Sequence, residues 1–384
     1  MNRIALDAAD LAVLRNINER LASTAEGAAP EAESVLLHGV AASTRPPRRG
    51  VAGPETESLL LHENTARKVP WAGMFLPHDV GGLGGGMREA VLLLYATGRS
   101  LLSPSLLSSA ILAPRLLEQL ATPRQRAEWL PRLARGESAA TICWRDEDDR
   151  LDPSGITIRG RRARNQLRLS GQKLFVPDAG RADLLLVVCR TSGRAGAAAG
   201  ISVCLVPTAT EGVHCRPLLQ VDPVQRLFEV RFDDVALEPQ SVLGREGQAW
   251  RVLDRLGDAA AIGLAAESLG GLERVLELCS DEREGSPAAR AALDEASDRI
   301  APALALLLDA ARACEARARD AAKRAAGIKA LVGDLFVSVA ESALAMNSAA
   351  QPEVRGWLAR AQSQRALYGA PEVQRERYAT LSGW

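Results

Sequence analysis

An eight-residue segment before the middle of the chain carries the densest set of chemically active side chains. It reads Cys143-Trp-Arg-Asp-Glu-Asp-Asp-Arg150, with four consecutive carboxylates between two arginines. Carboxylates this close together would repel a diphosphate unless Arg145 and Arg150 paired with them. Because the spacing lacks the EF-hand pattern, we interpret the run as a solvated loop and expect no metal site.

Two further patterns invite a ligand reading. Residues 77–86, PHDVGGLGGG, are glycine-rich. A phosphate loop would follow a Val/Ile-rich strand and end in Lys-Ser or Lys-Thr, which this segment does not, so we predict a loop between helices. The cysteines form no Cys-x-x-Cys pair and lack a histidine at ligand spacing, so we expect buried, reduced thiols. They are Cys143, Cys189, Cys204, Cys215, Cys279 and Cys314.

Charge and hydropathy exclude several classes of function. The 384 residues contain 47 Lys plus Arg and 47 Asp plus Glu, so no net field recruits nucleic acid or an anionic membrane. No run approaches the roughly 20 apolar residues of a membrane span, and the N-terminus shows no apolar signal segment. We therefore expect a cytoplasmic protein with neither nucleic acid nor membrane as a partner.

Hydrophobic periodicity divides the chain into a helical, a β and a second helical segment. Helical spacing predicts helices over residues 4–22 and 87–98, then two short helices within residues 111–136, the second starting at Thr122 and Pro123. Short β-branched runs follow and predict an antiparallel barrel or sandwich. They cover residues 139–144, 155–159, 167–169, 184–189, 201–206 and 228–232.

The helical period returns after residue 244 and predicts a C-terminal four-helix bundle. Its amphipathic segments are residues 250–278, 288–326, 328–346 and 353–367. The predicted fold is therefore α+β, with a helical domain at 1–137, a β domain at 138–244 and a helical bundle at 245–384. Residues 303–314 are apolar on more than one helix face, which predicts an oligomer.

Six segments, in the same order along the chain, resemble acyl-CoA dehydrogenases. Residues 76–84, LPHDVGGLG, are similar to the family's PEEYGGLG turn, and residues 130–137, LPRLARGE, to its LPRLAxGE segment. Further similar segments are residues 169–188, 230–244, 265–278 and 367–379. The last of these resembles bacterial members that act on bulky, steroid-type acyl-CoAs. The resemblance implies the family's three-part fold, which by itself does not settle function.

The family reaction is the α,β-dehydrogenation of an acyl thioester, in which a glutamate removes the α-proton and a hydride passes to flavin N5. The resemblance places that glutamate at one of two positions, and this chain has Gly369 and Ala261 there. Asp258 and Glu267 lie within two helical turns of Ala261. They are candidates for a displaced base, and the alternative is a solvated or subunit-contacting charge.

The flavin-facing positions are also altered. By resemblance, Ile142, Trp144 and Phe175 contact the flavin, whereas Arg145 replaces a threonine and Pro177 replaces a small hydroxyl residue. Residues 281–287 and 345–351 stand where family members reach the partner subunit's FAD. The first segment lacks the expected phenylalanine, and the second lacks the expected glycines. We expect FAD to be held mainly by a partner subunit.

Three hypotheses follow from this pattern. The first is a degenerate subunit of a heterotetrameric acyl-CoA dehydrogenase for a bulky, steroid-type acyl-CoA, whose homologous partner carries the glutamate. The second is an autonomous FAD-dependent dehydrogenase with Asp258 or Glu267 as a relocated base. The third is a flavin-free protein that binds an acyl group or serves as a scaffold.

Overall fold

The computed structural model describes residues 70–99, 106–147, 150–163, 165–222, 225–280, 286–346 and 351–384. Within these ranges helices come first, strands follow and helices close the chain, which confirms the α+β prediction. The predicted helix at residues 4–22 lies outside the described residues. The chain divides into two compact units, and one boundary falls inside a long helix, between Ala260 and Ala261. The three-domain division at 137 and 244 stays a prediction.

Of the helices that precede the strands, the last three lie at the predicted positions, and the first was not predicted. They are α1 (Trp71–Phe75), α2 (Met87–Gly98), α3 (Ala113–Leu120) and α4 (Pro123–Ala134). The start of α4 is a capping box: Thr122 Oγ1 accepts from the Gln125 backbone N–H at 3.3 Å, and Gln125 Oε1 accepts from Thr122 N–H at 2.9 Å. Pro123 occupies the first helical position, as predicted.

Seven described strands form one sheet in the order β1-β4-β2-β3-β7-β6, with β5 also paired to β4. They are β1 (Ala140–Cys143), β2 (Arg159–Ala163), β3 (Gln166–Pro177), β4 (Leu184–Arg190), β5 (Ile201–Pro207), β6 (Val213–Pro217) and β7 (Leu227–Leu237). Most pairs are antiparallel, as predicted, but β1 and β2 run parallel to β4. The alternation of apolar and polar residues along one strand does not show whether that strand runs parallel or antiparallel to its neighbour.

The strand predicted at residues 155–159 is wrong in its position, since β2 begins only at Arg159. Side chains hold much of the backbone before it, and the Ile158 carbonyl accepts from the Arg190 N–H of β4 at 2.9 Å. The Asp152 carboxylate accepts a hydrogen bond from the Ser154 backbone N–H at 2.7 Å. The Asp146 carboxylate accepts from the backbone N–H groups of Thr157 and Ile158 at 2.5 and 2.9 Å. Sequence analysis also missed β6, whose residues are mostly exposed.

The inner side chains of the sheet form a closed apolar core. Leu167, Leu169, Val187, Val230 and Phe232 are each at most 1% exposed. The predicted burial of the cysteines is confirmed for four of them and not for Cys215 and Cys314, which are half-buried. The buried ones are Cys143, Cys189, Cys204 and Cys279.

The C-terminal helices are α5 (Trp250–Leu278), α6 (Pro287–Glu315), α7 (Ala321–Leu344), α8 (Gln351–Ala366) and α9 (Pro371–Leu381). The single helix predicted over residues 288–326 is wrong. It breaks after Glu315, where Arg317 adopts a left-handed φ of 51° and Ala318 N–H closes the turn on Ala313 O at 2.9 Å. An alanine-rich stretch without glycine gave no signal for this turn.

Helices α2 and α5 approach each other through glycine. A Cβ built on Gly270 would lie 2.1 Å from the backbone oxygen of Tyr95. Beside this contact, Arg99 binds the carboxylates of Glu273 and Glu277, and the Tyr95 hydroxyl also donates to Glu273. Burial raises the pKa of Glu273. This ionic cluster ties the two helices together.

The close approach of α2 and α5 predicts that Gly270→Ala destabilises the protein by about 1–3 kcal/mol, because the added methyl group overpacks the contact. Gly257→Ala on the same helix is the matched control. Its Cβ would meet only the Trp144 ring, at 3.7 Å, so helix propensity should leave it neutral or stabilised by about 0.5–1 kcal/mol. Urea unfolding measures both variants, and equal stability of the two would contradict the packing argument.

Candidate functional site

The aromatic position on β3 lies in a bulge. The register between β3 and β7 shifts between Lys173 and Val176. Within that shift Phe175 adopts a φ of 54°, a left-handed conformation that costs a non-glycine residue roughly 1–3 kcal/mol. Leu174 N–H donates to the backbone oxygen of Arg145 at 2.9 Å. The bulge therefore turns Phe175 out of the strand's alternation and fixes it against the segment that follows β1.

Arg145 and Phe175, both predicted to lie at the flavin, are in direct contact. The Arg145 guanidinium carbon lies 4.9 Å from the centroid of the Phe175 ring, a cation–π geometry. Arg145 is only 7% exposed. A buried cation therefore covers the ring that the resemblance places against the isoalloxazine.

The other predicted flavin-facing residues belong to the same part of the sheet. Ile142 lies on β1 and is buried, and the buried Trp144 lies near Gly257 on α5. The carbonyl of Pro177 accepts a hydrogen bond from Thr141 Oγ1 at 2.7 Å. Sequence analysis missed Thr141, because a single threonine in a short apolar strand gives no signal of a partner 36 residues away.

The acidic segment after β1 is anchored by a buried ion pair. Asp146 pairs with Lys173 of β3, and both side chains are at most 3% exposed. Lys173 Nζ also donates to the backbone oxygen of Trp144 at 2.9 Å. The interpretation of this run as a solvated loop is therefore wrong for Asp146, which is 2% exposed, and Arg150 pairs with Asp152 at 2.7 Å. Asp148 and Asp149 lie outside the described residues.

Neither position expected to hold the catalytic glutamate offers a proton acceptor. Ala261 is completely buried on α5. Gly369 adopts a φ of 90° in the turn before α9, and a Cβ there would lie 2.8 Å from Gln374 Nε2. That amide donates to the backbone oxygen of Tyr368 at 2.7 Å. A glutamate at position 369 would have to displace this contact and adopt an unfavourable backbone conformation.

The candidate displaced bases, Asp258 and Glu267, are both buried on α5. They are nine residues apart, so a helix of 3.6 residues per turn places them on opposite sides. Glu267 Oε2 accepts from Gln364 Nε2 at 2.9 Å, and Gln364 Oε1 accepts from Ser268 Oγ at 2.9 Å. Glu267 is thus part of a buried hydrogen-bond network. A catalytic role for either carboxylate stays a prediction.

A lysine that sequence analysis missed extends this network. Lys329 on α7 is fully buried, and its Nζ donates to the backbone oxygen of Gln364 at 2.9 Å. Burial, with a smaller contribution from Arg365, lowers the pKa of Lys329 to about 8. The sequence did offer a signal of its burial, since Lys329 lies between the apolar residues Ile328 and Ala330, close to Val332.

Other kinds of site find no support in the described ranges. No group of three or more His, Cys, Asp or Glu side chains there is placed to hold a metal ion. The helices among these residues are too short or too polar to cross a lipid bilayer. Of the two segments expected to reach a partner's FAD, residues 281–285 and 347–350 lie outside the description.

Comparison with known proteins identifies the architecture around this site. Residues 142–235 match the acyl-CoA dehydrogenase middle domain, and residues 61–137 match the acyl-CoA dehydrogenase N-terminal domain. The chain belongs to the acyl-CoA dehydrogenase family. Arg145, in the segment after β1, and Phe175, on β3, therefore both lie within the middle domain of this flavoenzyme family.

Individual acyl-CoA dehydrogenase relatives are distant. Acryloyl-CoA reductase (NADH) of Anaerotignum propionicum is 26% identical over 216 residues, 55% of this chain and 55% of that protein. An acyl-CoA dehydrogenase of Mycobacterium tuberculosis is 28% identical over 53% of this chain and 55% of its own length. The chain thus spans about half the length of these curated relatives. Butyryl-CoA dehydrogenase of Megasphaera elsdenii shares the fold, with a TM-score of 0.78 at 18% identity over 100% of both chains.

The Asp146–Lys173 pair yields a stability prediction. Asp146→Asn leaves the Lys173 ammonium buried without its counter-charge, so we expect a loss of about 3–5 kcal/mol in the free energy of unfolding. The double variant D146N/K173M removes the stranded charge and should recover part of that loss. Glu137→Gln, at an exposed ion pair with Arg135, is the control and should unfold like the wild type. Equal stability of D146N and E137Q would refute the anchoring role.

The lowered pKa of Lys329 predicts a pH dependence of stability. Between pH 8 and pH 10.5 the unfolded chain holds this proton and the folded chain releases it, so stability rises with pH in that window. Below pH 8 both states are protonated, and the full cost of burying the charge remains. The stability of the wild type relative to Lys329→Met should therefore rise by about 3 kcal/mol across the window.

Urea unfolding at several pH values measures this difference. Lys323→Met removes a half-buried ammonium from the same helix and controls for the loss of charge. Parallel pH profiles for the wild type and K329M would show that Lys329 does not titrate as argued.

Proposed function

We propose that this chain is a degenerate subunit of a heteromeric acyl-CoA dehydrogenase that acts on a bulky acyl-CoA. A homologous partner subunit supplies the glutamate base and most contacts to FAD. The observation that carries the proposal is the pair Ala261 and Gly369, which leaves both family positions of the base without a carboxylate. Dehydrogenation next to a thioester requires a proton acceptor at the α-carbon, so this chain needs another source for it.

The flavin-facing residues support the same assignment. FAD supplies the hydride acceptor when it is bound in members of this family. In this chain the Arg145 guanidinium lies over the Phe175 ring, and Pro177 has no hydroxyl to donate. The described residues therefore do not fit an isoalloxazine in the manner the resemblance implies, and we assign this chain no step that passes through the flavin.

The contribution of this chain is then structural. Its sheet core, the Asp146–Lys173 anchor and the α2–α5 ionic cluster preserve the architecture. The steroid-type acyl preference rests on residues 367–379 alone, whose sequence resembles family members acting on such substrates. A heterotetramer follows from the same resemblance, and a cytoplasmic location stays a prediction.

The test is to purify the chain alone and co-expressed with a homologous acyl-CoA dehydrogenase, and to record visible absorption and acyl-CoA oxidation. We expect a colourless, inactive single chain and a yellow, active complex. Stoichiometric FAD and activity in the single chain would overturn the proposal in favour of an autonomous enzyme. In that case Asp258→Asn and Glu267→Gln test the two relocated-base candidates. Acyl-CoA binding without FAD in either preparation would instead support the flavin-free alternative.

Arg145 gives the proposal a residue-level prediction. Arg145→Thr restores the residue type expected by resemblance and uncovers the Phe175 ring, so FAD should bind the single chain at least about tenfold more tightly than it binds the wild type. Arg150→Thr removes the same charge from an exposed position in the same segment and should leave FAD affinity unchanged. Fluorescence titration with FAD measures both, and equal affinity in R145T and the wild type would contradict the covering role of Arg145.

A further inference from the structure

One face of the sheet carries a cluster of arginines that the proposed function does not use. In the antiparallel pair β2–β3, Arg161 stands directly opposite Arg168, and Arg159 stands opposite Ser170. Cross-strand partners share a face, so the three guanidinium groups emerge on the same side of the sheet. Like charges directly opposite one another destabilise a sheet. An isolated fold gains nothing from this arrangement.

The neighbouring carboxylates leave part of this charge uncompensated. Arg168 donates to the backbone oxygen and carboxylate of Asp234 at 3.0 and 3.1 Å, and Arg231 donates to Asp233 at 2.7 Å. Arg159 and Arg161 are exposed and form no ion pair or side-chain hydrogen bond with any residue in the described ranges. Two guanidinium groups on β2 therefore remain available to a ligand.

These arginines line a concave surface. A cleft of about 980 Å³ lies against β2, β3 and β7. Three of its carboxylates are already engaged, Asp146 by Lys173 and the other two by the arginines named above. The fourth, Glu147, accepts a hydrogen bond from Gln172. Because Gln172 is neutral, Glu147 keeps its negative charge, and the two arginines of β2, Arg159 and Arg161, exceed it by one positive charge.

Arg190 of β4 adds to the positive field beside β2. It pairs with Arg159 in the parallel ladder and is buried. Its guanidinium donates only to the carbonyls of Ala199 and Pro153, at 3.1 and 2.9 Å, and no carboxylate in the described part of the chain binds it. Burial, and secondarily the charge of Arg159, lower the pKa of Arg190. Neutralising anions would relieve this repulsion.

We propose that this cleft binds a phosphate-bearing anion, specifically a diphosphate group held by Arg159, Arg161 and Arg168. Alternate residues on a strand are roughly 7 Å apart and neighbouring strands roughly 5 Å, so the three planar forks surround a space that suits two adjacent phosphoryl groups. Bidentate guanidinium–phosphate contacts give such a site both charge and geometry. The site is independent of the heteromeric function proposed above, since none of these arginines belongs to the flavin-facing set.

The test uses inorganic pyrophosphate as the probe in calorimetric titrations of the full-length chain. Arg161→Ala should weaken binding at least about tenfold relative to the wild type. Arg162→Ala is the matched control, because this adjacent residue points to the opposite face and pairs with Glu246. Undetectable binding to the wild type, or equal weakening in both variants, would overturn the proposal.

Thermal unfolding separates loss of a site from loss of the fold. Without anion, R161A should melt at or above the temperature of the wild type, because it relieves the like-charge pair with Arg168. The same concentration of pyrophosphate should raise the melting temperature of the wild type and of R162A more than that of R161A. A parallel titration with adenosine diphosphate identifies the source: tighter binding than pyrophosphate indicates a nucleotide-linked diphosphate, and equal or weaker binding indicates the free anion.

Discussion

The geometry of the middle domain depends on one buried pair of opposite charges. Asp146 and Lys173 are held together inside the sheet, and the remaining oxygen of Asp146 binds the backbone of Thr157 and Ile158. Charges removed from water are costly unless each has a partner and its other hydrogen bonds are satisfied. Here each charge has its counter-charge, and Lys173 Nζ also donates to the Trp144 carbonyl, so the segment after β1 is fixed to β3. The bulge of β3 and the contact of Arg145 with the Phe175 ring lie next to that attachment.

The same attachment separates architecture from chemistry. The anchor holds its loop whether or not the next side chains can serve a flavin, so the fold does not depend on the chemistry of those side chains. In the C-terminal part of the chain, Ala261 fits a tightly packed helix and Gly369 fits a left-handed turn, and each local structure favours the small residue that is present. A small residue at either position therefore carries no structural penalty.

Sequence patterns predicted the elements that local physics determines. The bounds of α2 and α5 match hydrophobic periodicity, and the start of α4 matches its Thr-Pro signal. The break after Glu315 was missed because alanines continue the helical pattern across it. Lys173 and Asp146 lie 27 residues apart, and the positive φ of Phe175 depends on tertiary register, so neither is encoded by local spacing. The site residues were named from resemblance, but their mutual contacts required the fold.

The two groups of charges in the middle domain have different physical origins. Inside the sheet, the Lys173 ammonium contacts the Asp146 carboxylate and the Trp144 carbonyl, and both contacts stabilise the fold. On its surface, Arg161 faces Arg168 across the strands, and neither Arg159 nor Arg161 gains a partner from the described residues. Folding stability alone selects against such a cluster, because substitution of either surface arginine would relieve repulsion at little cost in packing. Its presence on a concave face therefore points to a requirement outside the fold, and an anion that binds between the strands converts the repulsion into affinity.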